Sequence, residues 1–530
     1  MSRLAVGFAL VAITLLTFFK FPGHTYLQQD TQIYNAILEH LWDSSVLRND
    51  ILVQRPHVAF TLYDEVALTM RKLTGMSFER ILELEQIVFR GLGLWGVYLI
   101  ATALGLSPAL ALLVTAIWSL GATIVGPSVL TLEYEPVPRG FAVPLLFLAV
   151  GLLVHGHMIW AGVAASGAFL MHAPTVYPFY LLFAARALWP GRRSIGALVP
   201  LLASAAILLV ASRLQSGVTE SQEFFARITP EIEKLQRMRA SYNWISIWWR
   251  DWLPQYLFLF AVAMLACRRL HQRMHADLKL FLIGLPAIGM LSMPLSWLLL
   301  EHFRWALIPQ FQPMRALLFV TAIAVLLGAV AGCVAMGDRR WMEAFAWFAL
   351  AYMFPVNARI LTLPSGQKLG VVIGLAMAAC FAVWISKSWA ITATAMAGFF
   401  LMPVFVKNYP APGNGELSDL VAWANTSTPK DAVFLFPDLG KDGRPGVFRS
   451  KALRAVYVDW KGGGQVNYLH ELGEQWWTRW QETAGRNFDA GEFPKYRSYG
   501  IDYIVVLPKD EMTERVPAYR NSGFVVYDVI

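Results

Sequence analysis

The chain has 530 residues, 56% of them hydrophobic and only 15% charged, with a formal net charge of +8. That balance excludes an ordinary soluble globular protein, in which about a quarter of residues are charged. From Lys407 to the end there are 15 basic and 16 acidic residues, which makes the tail −1 and leaves the rest at +9.

A cationic excess confined to short loops suits an anionic membrane surface. No basic face with interleaved aromatics points to nucleic acid. Cys267, Cys333 and Cys380 all lie in or beside apolar segments, with neither a disulfide framework nor metal-ligand spacing.

The first apolar segment, 4–19, follows Arg3 as a signal peptide would, but Lys20-Phe21-Pro22-Gly23 offers no small-residue cleavage pattern. It is read as a retained span. Further spans are expected at roughly 88–105, 109–126, 140–155, 158–173, 175–190, 195–213, 254–267, 279–300, 314–335, 341–357, 369–386 and 388–406. About thirteen spans put the two ends on opposite sides. With the N-terminus inside, Arg186/Arg192/Arg193, Arg268/Arg269/Arg273/Lys279, Arg339/Arg340 and Lys387 all fall on the cytoplasmic side. The expected fold is therefore mainly α: a polytopic helical membrane domain over 1–406, N-in and C-out, with long outer loops at 21–87 and 214–253.

The outer side then collects the residues with chemistry. The first loop carries Asp30, Asp50 and His57, and Ile33, Ala36, Ile37 and Leu41 recur at helical spacing after Asp30. Asp30 thus stands at the entrance of a helix expected to lie along the membrane surface, where it is equally a helix N-cap. The same side receives Glu133 and Glu135 before Arg139, then His172-Ala173-Pro174, the Trp244/Trp248/Trp249/Arg250 cluster, and the 301–315 loop ending at Arg315.

The composition changes at Asn408-Tyr409-Pro410-Ala411-Pro412-Gly413, a linker. Beyond it the patterning predicts helices over 417–426 and 468–483, and strands over 432–436, 455–459, 503–507 and 524–529. Residues 407–530 are therefore expected to form a small extracytoplasmic α/β domain. Gly462-Gly463-Gly464 follows a strand but lacks the phosphate-loop spacing.

Several of these segments together resemble the GT-C class of membrane glycosyltransferases, in particular the protein O-mannosyltransferases and the bacterial enzymes that use polyprenyl-phosphate sugars. The likeness rests on Gln29-Asp30-Thr31 early in a long first outer loop, Asn49-Asp50, Glu135-x-x-x-Arg139 before an apolar run, His172-Ala173-Pro174 at a span end and Gln312-Pro313-Met314-Arg315 opening a late span. In the tail it rests on Trp423 to Pro429, Phe448-Arg449 and Val458-Asp459-Trp460-Lys461 before Glu474-x-Trp476. The resemblance implies an integral protein of a bacterial inner membrane. It would be an enzyme moving a sugar, with inversion, from a polyprenyl-phosphate donor to an acceptor on a protein, a lipid or a glycan. The mannosyltransferase pattern has an acidic pair in the first loop, whereas Asp30 is flanked by Gln29 and Thr31; a divalent metal is therefore not called, although Asp50 could supply a second carboxylate.

Such a transfer needs a carboxylate to take the acceptor proton and a cation to receive the leaving phosphate. Asp30 is assigned as the base, and Asp50, Glu135, Arg139, His172 and Arg315 as substrate-binding groups. Each has a plainer reading: an exposed loop acid for Asp50, a helix-end ion pair for Glu135 and Arg139, an interfacial histidine for His172, a snorkelling side chain for Arg315. Arg449, Lys451, Arg454 and Lys461 read most simply as a solvated basic strip, from which one could reach acceptor or phosphate if the tail folds back over the cavity. Alternatives of another class are a lipid-linked glycan transporter or flippase, a non-catalytic scaffold of the same architecture, and an O-antigen polymerase or ligase. A transporter would place ionisable groups at mid-membrane, and none stands near a span centre.

Overall fold

The computed structural model describes residues 1–55, 61–190, 194–214, 225–353, 413, 415–485 and 488–529. His57, Arg192, Arg193, Cys380, Lys387, the expected spans 369–386 and 388–406 and the 406/407 boundary lie outside the described residues. In the first half run α1 (Arg3–Phe19), α2 (Thr31–Trp42), α3 (Tyr63–Thr74), α4 (Phe78–Ala103), α5 (Pro108–Trp118), a hairpin of β1 (Thr123–Ile124) and β2 (Val129–Leu130), α6 (Pro138–Val154), α7 (Met158–Ala187) and α8 (Val199–Leu214). There follow α9 (Pro230–Arg239), α10 (Ile245–Arg269), α11 (Ala276–Ser296), the single turn α12 (Ile308–Phe311), α13 (Leu317–Gly337) and α14 (Trp341–Met353). Five helical segments among the described residues are long and apolar enough to cross a membrane. The chain is an integral membrane protein, mainly α.

The centre of the bundle is α13, whose residues from Leu317 to Ala335 are all buried. A helix that is apolar all round belongs inside, and α5, α10, α11 and α14 pack around it. Between α4 and α6 the backbones nearly touch: a Cβ on Gly96 would lie 2.4 Å from the Phe147 carbonyl. Small residues permit such contacts where no hydrophobic drive separates helices from lipid.

The segment 158–190, expected to be two spans, is two helical stretches that meet at a fold at His172, whose backbone is non-helical (φ −158°, ψ 83°). Eleven residues of straight helix would separate Phe169 and Tyr180 by about 16 Å, yet their rings stack at 5.1 Å. Pro174 explains the break. It has no N–H for the Leu170 carbonyl, which instead accepts from Leu62 N at 2.8 Å. The expected span at 88–105 also differs, because α4 begins ten residues earlier, at Phe78. The extra turns reach the end of the bundle where Arg90 donates to the carbonyls of Thr17, Gly23 and Glu133.

The turns sort to two ends. Arg186 pairs with Asp277 at 2.5 Å, Arg269 pairs with Asp338 and Glu343 at 2.6 Å each, and His275 Nε2 lies 3.1 Å from the Val154 carbonyl. The basic turns therefore gather at one end of the bundle. The opposite end carries the first loop, the β1–β2 hairpin, the His172 fold and the start of α13.

On that opposite end sits the α/β domain. It contains α15 (Gly415–Ser427), β3 (Val433–Leu435), α16 (Arg444–Ala452), β4 (Ala455–Val456), α17 (His470–Glu482), α18 (Phe493–Ser498), β5 (Tyr503–Val506), β6 (Tyr519–Arg520) and β7 (Val525–Asp528). The sheet order is β4-β3-β5-β7-β6, with β4, β3 and β5 parallel and the last two strands antiparallel to their neighbours. Both faces are covered, as parallel strands require. Phe434 and Val505 point into the core shared with the membrane helices, while Leu435, Ile504 and Val506 join Trp476 and Trp480 on the other face.

The helix after Asp30, expected to lie along the membrane surface, is covered by protein: in α2, Gln32, Ile33, Asn35, Ala36, Ile37 and Leu38 are all buried, and α16 of the tail packs across it. Gly446 makes this contact possible, since a Cβ there would sit 2.1 Å from Gln32 Oε1. Gln32 cannot readily swing aside, because its Nε2 donates to the Leu27 carbonyl at 2.7 Å. Gly446→Ala is therefore expected to destabilise the protein by about 1–3 kcal/mol through overpacking. Thermal unfolding in detergent would read the loss, and the added Gln32→Ala change should recover part of it.

Candidate active site

Asp30 sits at the N-cap position of α2 but its side chain makes no capping hydrogen bond. The cap comes from a different loop. Glu135 Oε1 accepts from Gln28 N (2.8 Å), Gln29 N (2.6 Å) and Thr31 Oγ1 (3.0 Å), and Oε2 accepts from Thr31 N (3.3 Å). One buried carboxylate thus takes the first helix donor, Thr31 N, together with two amides of the turn before it, and leaves the Asp30 side chain free to point elsewhere. Burial first, and then the neighbouring Asp30 charge, push Glu135 up to about 7 against the pull of those donors.

A folded-state pKa raised from 4.5 to about 7 contributes stability that is fully present below about 4.5 and lost as pH rises through about 7. The wild type is expected to lose at most about 3 kcal/mol from this group between about pH 5 and pH 8. Glu135→Gln should remove that portion of the slope, read as the difference between the two melting profiles across the same range.

The Asp30 carboxylate is held by two cations. Arg139 Nη1 lies 3.2 Å from Oδ2, and Lys461 Nζ lies 2.9 Å from Oδ1. Burial alone would raise the Asp30 pKa, but Lys461 and then Arg139 outweigh it and hold the carboxyl well below its ordinary range. Arg139 is itself aimed by Glu133, whose Oε1 accepts from Nε at 2.7 Å. Lys461 also donates to Gln29 Oε1 at 3.0 Å.

These groups open into a cavity of about 360 Å³, within the roughly 300–1,000 Å³ usual for ligand sites. Asp30, Arg139, His172, Arg239, Arg315 and Lys461 all line it, with Tyr34, Tyr134, Tyr242 and Tyr468 among them. Arg315 is only 6% exposed, and its Nε has no hydrogen-bond partner. Its guanidinium lies 5.2 Å from the Tyr242 ring centroid. A buried guanidinium with an unused donor calls for an anion. His172 reaches the wall because the α7 fold exposes it there, and its Nδ1 lies 2.7 Å from Thr175 Oγ1.

Of the sequence-derived candidates, the structure brings Asp30, Arg139, His172 and Arg315 to one cavity and sets Glu135 just behind it. Asp50 is not brought there. It is neither an exposed loop acid nor a second carboxylate beside Asp30, because it is fully buried and its Oδ2 pairs with Arg449 Nε at 2.6 Å. Both Asp30 oxygens face cations, so an Asp30–Asp50 metal site does not fit this donor set. Among the described residues no three His, Cys, Asp or Glu side chains cluster to hold a metal ion.

Of the tail cations expected to form a solvated strip, Lys451 is exposed and the other three depart from that reading. Arg449 is fully buried, Arg454 is bonded to the Ala424, Thr428 and Ala452 carbonyls, and Lys461 enters the cavity. Lys461, Arg239 and Glu133 were not assigned to the site from sequence. One signal was present: Asp459-Trp460-Lys461 and three glycines follow a strand that proves parallel, and ligands favour the carboxyl ends of such strands.

A family model described as a domain of unknown function, DUF6798, matches residues 415–483, the stretch that carries Arg449, Asp459 and Lys461. No curated protein sequence matches the chain. Among solved structures, ArnT from Cupriavidus metallidurans in the apo state is similar at 12% identity and TM-score 0.42, covering 99% of this chain and 97% of that one. The same enzyme bound to undecaprenyl phosphate is similar at 11% identity and TM-score 0.40, with the same coverage. TM-scores of this size leave the chemistry to be read from the cavity itself.

Proposed function

We propose that the chain is a membrane glycosyltransferase that moves a sugar from a polyprenyl-phosphate donor to an acceptor hydroxyl, with the cavity end facing out of the cytoplasm of a bacterial inner membrane. The observation that carries this reading is the sharing of one cavity by the Asp30 carboxylate and the buried guanidinium of Arg315, whose Nε donor is unused. The basic turns at the far end of the bundle support the orientation.

In the reaction, the acceptor hydroxyl oxygen bonds to the anomeric carbon while the bond from that carbon to the donor phosphate oxygen breaks. The bonding electrons leave with the phosphate, whose charge Arg315 receives through paired N–H donors. The hydroxyl proton passes to Asp30, and a single displacement inverts the anomeric centre. Glu135 and Glu133 act at one remove, the first fixing the Asp30 loop and the second aiming Arg139. An ionised Asp30 is assured by its cations, but a carboxylate so held accepts a proton poorly.

Mass spectrometry of envelope glycans from a strain lacking the chain tests this reading. A glycan lost on deletion should return with wild type and not with Asp30→Asn. Full restoration by Asp30→Asn removes Asp30 as the base, and an unchanged glycan profile on deletion removes the enzyme.

A further inference from the structure

Lys461 enters the cavity from the tail. It follows β4 on a turn fixed from behind: Asp459 Oδ1 accepts from Arg449 Nη2 at 2.6 Å, its Oδ2 accepts from Lys461 N at 3.2 Å, and its carbonyl accepts from Trp476 Nε1 at 2.7 Å. The Lys461 side chain is 24% exposed and its ammonium bridges Asp30 and Gln29. The turn is rigid, and the four-carbon stem beyond it is the part free to move.

The groups facing that ammonium set up a competition. Asp30 is the carboxylate lining the cavity, whereas Arg139, Arg239, Arg315 and Lys461 are all cations. A phosphate held by Arg315 would enter the same space and attract the same ammonium. The Arg315 and Arg239 guanidiniums keep Nε donors unused, while Asp30 draws both Lys461 and Arg139 to its side, with Gln29 and Glu133 as their further acceptors.

We infer that Lys461 is a substrate-displaced clamp, for which the Asp30 carboxylate and an anionic phosphate headgroup are alternative partners. On this inference, which rests on the proposed transfer reaction, headgroup binding takes over Lys461 and leaves Asp30 with one cation fewer. The base becomes competent when the donor is seated. Lys461 is then both a phosphate-binding group and a timing device, supplied by the tail.

The competition is tested by binding, apart from turnover, on the full-length protein in detergent with a short-chain polyprenyl phosphate as probe. Asp30→Asn releases Lys461 and should tighten probe binding about tenfold, equivalent to about 1.4 kcal/mol. Lys461→Met should weaken it by a similar factor, Lys461→Arg should hold it near wild type, and the gain from Asp30→Asn should vanish in the Asp30→Asn/Lys461→Met pair. Each variant's melting temperature checks that it is folded. If Asp30→Asn leaves binding unchanged or weaker while the protein stays folded, the clamp is refuted. If the binding pattern holds but no sugar is transferred, the clamp stands and the transferase reading falls. Where transfer is measurable, the acid limb of kcat/KM should lie below that of kcat in wild type and the gap should narrow in Lys461→Met. Coincident limbs in wild type also refute it.

Discussion

Asp30→Asn is expected to lower the rate of sugar transfer by about 10²–10⁴-fold, the usual contribution of a positioned general base. The substitution keeps the side chain's size and leaves the start of α2 untouched, because Glu135 and not Asp30 caps that helix. The melting temperature should fall only by what the part-exposed ion pairs with Arg139 and Lys461 contribute, while turnover collapses, and the two measurements on one preparation separate catalysis from folding. A mere N-cap would behave in the opposite way, with a stability loss of about 1 kcal/mol and intact turnover. Donor KM should not rise, since the cations that receive the phosphate remain and Lys461 and Arg139 are relieved of a competitor. A parallel loss of turnover and stability would return Asp30 to a structural role.

How much of this was legible in the sequence depends on the range of the interaction. The helices announced themselves because span-length apolar runs and tight turns are local signals, and the strands of the tail followed from short continuous apolar runs between helical stretches. The fold at His172 was legible as a break between two spans because His172-Ala173-Pro174 interrupts the apolar run. The cavity was partly legible: Asp30, Arg139, His172 and Arg315 are marked by standing at span ends on one side. Their partners were not. Glu135 caps a helix more than a hundred residues earlier in the chain, and Lys461 meets Asp30 across more than four hundred. No spacing rule reaches that far. The tail cations were misread for the same reason, since burial of Arg449 depends on Asp50, which lies in another domain of the sequence. The patterning predicted no helix over 444–452, so α16, the helix that carries Arg449, was also missed.

Arg449→Met is expected to destabilise the protein by about 3–5 kcal/mol, the range for breaking a buried ion pair from one side. The guanidinium is fully buried between Asp50 Oδ2 and Asp459 Oδ1, each at 2.6 Å. Burial works against its charge, but Asp459 and Asp50 outweigh that and raise its pKa above the ordinary value. Asp50 is anchored further by Val456 N at 2.9 Å and Leu52 N at 3.0 Å, so neither carboxylate can turn to water when the arginine is gone. Two uncompensated acids would then remain in the joint between the first outer loop and the tail. Replacing all three together, as Asp50→Asn/Arg449→Met/Asp459→Asn, should recover much of the loss, because the penalty belongs to the unpaired charges more than to the missing bonds. Thermal unfolding and the rate of proteolytic release of the tail would measure both effects. The same joint sets the turn that carries Lys461, so the single variant should also weaken polyprenyl-phosphate binding, whereas Lys461→Met should weaken binding with little change in melting temperature. If Arg449→Met melted like wild type, the tail would be held by its other contacts, and the ion triad would have no part in placing Lys461 against Asp30.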